Sequence, residues 1–83
     1  MIDYVELENL PTTSNHLLNI LWDRNCAMRL PELANAVNSE FSTQWNKQDI
    51  RDFVRFLILA DYVERKRSGF HIYYAALGMD YEL

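Results

Sequence analysis

Six of the eight basic residues of this 83-residue chain lie between positions 46 and 67: Lys47, Arg51, Arg55, Arg65, Lys66 and Arg67. Cations grouped in this way do binding chemistry. A guanidinium is a planar fork that matches a phosphate or the edge of guanine, and an ammonium is a point charge for phosphate. Arg51 and Arg55 stand four residues apart, about one helical turn, so a helix would present them together. Gln48 lies on the same side, and an amide of this kind pairs with the edge of adenine. Arg65, Lys66 and Arg67 are contiguous, which suits a clamp on phosphates or, equally, a charged solvated edge that prevents aggregation.

The rest of the chain is not basic. Net charge is −4, and residues 1–45 carry six acids against two bases. Residues 46–67 carry six bases against four acids, and residues 68–83 add Asp80 and Glu82. Nonspecific affinity for DNA comes largely from neutralised phosphates, so the overall balance opposes it and only the 46–67 window favours it. Asp49 and Asp52 lie inside that window. Asp52 can accept from a cytosine amino group, or it can pair with Arg55 at i+3 and hold the arginine back.

Catalytic and metal chemistry lack the necessary patterns. The only glycines are Gly69 and Gly78, so no glycine-rich phosphate loop exists. Cys26, His16 and His71 are too scattered for a metal site, and no nucleophile–base grouping lies on elements that would converge. The expectation is a non-enzyme with no metal and no cofactor. No apolar run approaches the ~20 residues of a membrane span, and the start does not resemble a secretory signal. A lone cysteine cannot form an internal disulfide. These features lead to the expectation of a cytoplasmic protein that does not contact membranes.

The elements that position the cations follow from periodicity. One domain over 1–83 is expected, with an arm at 1–11, a core at 12–77 and a tail at 78–83. Thr12, Thr13 and Ser14 are N-cap types, and Leu17, Leu18, Ile20, Leu21 and Trp22 form a stripe, which predicts a helix over about 14–24. Asn25 suits a left-handed end. Residues 26–30 read as a short strand or extended link. Pro31 and Glu32 open a second helix, over about 31–39. Phe41 and Trp45 in the connector should pack inward.

Asn46, with Asp49 three residues on, forms a loose capping box, and Ile50, Phe53, Val54, Leu57 and Ile58 fall on one face. That predicts a third helix over 46–60. Its outer face carries Gln48, Arg51, Asp52, Arg55 and Leu59, with Lys47 at one margin and Asp49 and Phe56 at the other. The segments 62–66 and 70–76 are rich in aromatic and branched residues around Arg67-Ser68-Gly69, which predicts a β-hairpin over 62–76. Tyr73 and Tyr74 should then face opposite ways. Three helices followed by a hairpin are the α+β winged helix-turn-helix arrangement, with the hairpin as wing.

From Leu10 to Leu77 the chain resembles the DNA-binding domain of the penicillinase-repressor family (BlaI, MecI and CopY type). The likeness is carried by Leu17-Leu18-Asn19-Ile20-Leu21-Trp22, Pro31-Glu32-Leu33, Trp45, Ile50-Arg51, Leu57, Tyr62-Val63 and Tyr73-Tyr74. Asp49 and Asp52 depart from it, replacing small hydroxyl residues, and Leu59-Ala60 replace a basic pair. The resemblance implies a bacterial repressor that works as a homodimer. Members of that family dimerise through C-terminal helices, segments absent from this chain.

Two functions are therefore carried forward. The first is a sequence-specific DNA-binding transcriptional regulator, with the 46–60 helix in the major groove of double-stranded DNA and the 62–76 hairpin as wing. Its contacts would be Lys47, Gln48, Arg51, Arg55, Arg65, Lys66 and Arg67. The second is a winged-helix protein-interaction module that has lost DNA binding, with Phe56 and Leu59 as part of its docking patch.

Overall fold

The computed structural model describes residue 7 and residues 9–78. Helix α1 spans Thr12–Arg24, α2 Leu30–Phe41 and α3 Lys47–Leu59, followed by strands β1, Val63–Ser68, and β2, His71–Ala76. This is an α+β winged helix-turn-helix. The expected order holds throughout, and the differences lie at element ends.

Helix α1 starts two residues earlier than expected. Pro11 is its N-cap, and no side chain caps it. Ser14, expected near the start as a cap, is instead fully buried inside the helix and donates through Oγ to the Phe53 carbonyl of α3 at 2.7 Å. The helix ends at Asn25 in the left-handed region (φ 52°), where a short polar side chain costs little. Helix α2 runs two residues past its expected end to a left-handed Ser42. Pro31 occupies its first turn, and Glu32 Oε1 accepts from the Arg29 N–H at 2.9 Å.

The hairpin lies where its composition predicts, over 63–76, but its turn is shorter than expected. Pairing runs from Val63 opposite Ala76 to Ser68 opposite His71, so Arg67 and Ser68 belong to the strand and only Gly69 and Phe70 form the turn. Gly69 has φ +61° while Phe70 has no positive φ, the pattern of a two-residue type II′ turn that needs glycine in its first central position. The 26–30 link contributes an isolated bridge. Met28 and Tyr74 exchange both backbone hydrogen bonds, at 2.9 and 2.8 Å, which ties the base of the wing to the segment before α2.

The core lies between the three helices and the base of the hairpin. Leu17, Leu18, Leu21, Leu33, Val37, Ile50, Val54, Leu57 and Val63 are buried in it, and burying each such side chain contributes about 1.5–3 kcal/mol. Phe53, Ile58, Trp22, Trp45 and Phe41 are partly buried around it. Leu7 and Leu10 also pack against it, and the Leu7 N–H donates to Asn15 Oδ1. The arm's acids Asp3, Glu6 and Glu8, and residues 79–83 of the tail, lie outside the described residues. Among the described residues, no helix is long and apolar enough to cross a membrane.

Candidate nucleic-acid interface

Helix α3 is set by its two ends. At the start, Asn46 Oδ1 accepts from the Asp49 N–H at 2.9 Å and Asp49 Oδ2 accepts from the Asn46 N–H at 3.1 Å, a reciprocal capping box. This engages one of the two aspartates that opposed DNA binding, since Asp49 is half-buried and satisfies orphan amides. At the end, Asp61 takes a left-handed φ of 62° and the Tyr62 N–H donates to the Leu57 carbonyl at 2.9 Å, which turns the chain directly into β1.

The link between α2 and α3 is held by a residue that the sequence did not single out. Asn38 Oδ1 accepts from the Trp45 N–H at 2.9 Å and from Thr43 Oγ1 at 2.8 Å, while Asn38 Nδ2 donates to the Trp45 carbonyl at 2.8 Å. One side chain at the end of α2 therefore ties down the residue next to the α3 cap. Trp45 in turn meets Phe53 edge-on, with centroids 5.0 Å apart. No periodicity signals this role, because an asparagine late in a helix reads as an ordinary polar position.

With α3 and the hairpin so placed, Arg51, Arg55 and Arg65 line one cleft of about 340 Å3, floored by Leu30, Ile72 and Tyr74. A second cleft of about 150 Å3 shares Leu30, Arg51 and Ile72 with it and adds Arg29, Pro31, Lys47, Phe70 and His71. The two together present the cations Arg29, Lys47, Arg51, Arg55 and Arg65, and no carboxylate lines either. Arg29 was not expected here. It lies in the irregular link, where neither helical nor strand period places a side chain, and the Met28–Tyr74 bridge brings that link beside the hairpin.

The remaining expected contacts divide by face. Val63, Arg65 and Arg67 stand opposite Ala76, Tyr74 and Ile72 and share the face that looks toward α3. Lys66, opposite Tyr73, is on the other face, 4.0 Å from Glu64. The wing cations are thus not one three-residue clamp: Arg65 lines a cleft, Arg67 shares its sheet face without lining either cleft, and Lys66 faces away. Tyr74 is buried and Tyr73 half-buried, so the two tyrosines do face opposite ways.

Gln48 is exposed on α3, and Arg51 Nη1 reaches its Oε1 only at 3.5 Å. The Asp52–Arg55 pair does not form, and no carboxylate among the described residues holds Arg51, Arg55 or Arg65 in an ion pair. Asp52 lines neither cleft. At about 100° per residue it falls on the flank of α3 away from the wing, with Phe56 and Leu59 nearby. Phe56 is 49% exposed and Leu59 76%, so neither is absorbed by the described core.

His16 stacks on Phe41, with ring centroids 3.7 Å apart and planes within 4°, and burial lowers its pKa. Cys26 is exposed, and the described residues contain no group of three potential metal ligands.

No family model matches the sequence, and no curated protein matches it. A solved structure from a study of the DNA recognition and protein interaction domains of HOP2 is similar, with a TM-score of 0.66 at 16% identity. The match covers 77% of this chain and 97% of that one. At that identity the likeness is one of fold, and it agrees with the element order: the chain carries a winged helix-turn-helix with a two-stranded hairpin as its wing.

Proposed function

We propose that this domain binds double-stranded DNA, with α3 in the major groove and the wing along the flanking backbone. The observation that supports this best is the convergence of Arg51, Arg55 and Arg65, from two separate elements, on a cleft lined by no carboxylate. Three like charges with no compensating acid are an unfavourable arrangement for a free domain and a favourable one for a polyanion. Lys47, Gln48 and Arg67 flank the same surface, and Arg29 joins it. Lys66 would serve only at the far side of the wing.

The similar HOP2 structure was studied for DNA recognition, which points the same way. The resemblance to penicillinase repressors supports the narrower reading. On that reading the domain is a bacterial transcriptional repressor acting in the cytoplasm by binding alone, without catalysis or cofactor. It would dimerise on a two-fold operator, because a single acidic domain with few phosphate contacts binds weakly.

The test is a titration of the native chain with duplex DNA by fluorescence anisotropy at low and near-physiological salt. Binding that weakens steeply with salt is expected. No binding at low salt, with the fold intact by circular dichroism, would falsify the DNA reading.

A second reading has its own observation. Phe56 and Leu59 are exposed on α3 and line neither cationic cleft, Phe56 one turn beyond Asp52 and Leu59 one turn beyond Arg55. A protein-interaction module would use that patch. A native chain that binds no duplex but self-associates by sedimentation, and becomes monomeric on Phe56→Ser/Leu59→Ser substitution, would support it.

A further inference from the structure

The most exposed large apolar side chain among the described residues is Phe70, at 97%. Folding does not explain it. The type II′ turn requires glycine at Gly69, but the second central position accepts small polar residues, which turns at hairpin tips usually carry. A single exposed phenylalanine is not unusual on its own. The position of this one is informative. It stands at the rim of the cleft that Arg29, Lys47, Arg51 and His71 line, so the ring projects into solvent from the edge of a cationic surface. Its backbone is also held in place, because the strands pair right up to Ser68 and His71 and leave only two residues in the turn.

We propose that Phe70 is a base-step wedge. When α3 sits in the major groove and Lys47 and Arg51 hold the intervening phosphates, the wing tip reaches the adjacent minor groove and its phenyl ring inserts against a stacked base step. Apolar side chains of this kind partly unstack and kink the duplex, at least cost at flexible pyrimidine–purine steps. The cations supply the affinity that offsets unstacking, and a two-residue turn loses little backbone entropy when the tip is immobilised. The preferred ligand is therefore deformable duplex DNA, not stiff A-tract DNA of the same charge. The inference rests on the duplex-binding reading and goes beyond it.

The experiment uses two duplexes of about 20 base pairs, two helical turns. One carries repeated TA steps with 2-aminopurine in place of adenine, and the other is an A-tract with the same label. The native chain should bind the first more tightly and raise its 2-aminopurine emission as bases unstack. Phe70→Ala should bind it about tenfold more weakly, the loss expected from removing one base-stacking ring, with no emission rise and an unchanged salt slope. Phe70→Trp should retain both effects. The substitution lies outside the core, so circular dichroism should be unaltered. Native binding to both duplexes, with Phe70→Ala within twofold of native and the same emission, overturns the wedge and leaves the DNA reading standing. No binding of either duplex by the native chain at low salt overturns both.

Discussion

Replacing Arg51, Arg55 and Arg65 together with alanine gives the sharpest test of the interface, because its effect is a slope and not only an affinity. Five cations line the paired clefts, Arg29, Lys47 and Arg51 in one and Arg51, Arg55 and Arg65 in the other, with Arg51 common to both. If each neutralises one phosphate, the logarithm of affinity falls with the logarithm of salt at about −0.9 per contact, a native slope of about −4.5. Between about 50 and about 200 mM salt that is a loss of roughly 500-fold. The triple variant keeps Arg29 and Lys47, so its slope should be about −1.8 and its loss over the same range roughly twelvefold. All three arginines are exposed and form no ion pair among the described residues, so each substitution should shift stability by no more than about 0.5 kcal/mol. The assay is anisotropy with a labelled duplex at four or more salt concentrations, with thermal melts as the control for folding. A triple variant with the native slope, at intact fold, would refute the claim that these three groups meet phosphates.

The two aspartates of α3 should behave differently. Asp49→Ala breaks a reciprocal capping box and should lower stability by about 1 kcal/mol in a thermal melt, whereas Asp52→Ala should leave the melt unchanged and tighten duplex binding by removing an unpaired negative charge. Asn38→Ala removes three hydrogen bonds that hold the turn, which at about 0.5–1.5 kcal/mol each should cost roughly 2–4 kcal/mol and lower Tm by at least about 10 °C. For His16, burial lowers the folded-state pKa below the unfolded value, so the unfolded chain binds the extra proton. Stability should therefore be complete above the ordinary histidine pKa of about 6.5 and decline as pH falls below it. His16→Phe should flatten that part of a denaturant-midpoint-against-pH curve.

Local signals made much of the fold legible. The five apolar positions of α3, its Asn46–Asp49 box, the Pro31–Glu32 start of α2 and the left-handed Asn25 are all effects within one or two turns of chain. Gly69 marks the wing turn for the same reason, since its positive φ is a property of that residue alone. The boundaries differ where pairing with another element overrides local composition. Ser14 has the chemistry of a cap, but its hydroxyl is claimed by the Phe53 carbonyl of another helix. Residues 67–68 have turn composition, but they pair with His71 and Ile72.

The cations show the same division. Helical spacing alone puts Arg51 beside Arg55, and chain adjacency alone puts Arg65, Lys66 and Arg67 on one strand. Only tertiary packing decides that Arg65 and Arg67 face the helix while Lys66 turns toward Glu64, because strand alternation has no sign until one face is buried. Only packing brings in Arg29, through a backbone bridge between residues 46 positions apart in the chain. It also brings Phe70 to the same cleft as Lys47 and Arg51. Periodicity is written in neighbours, whereas a binding surface is an agreement between elements whose relative placement is set by the shared core.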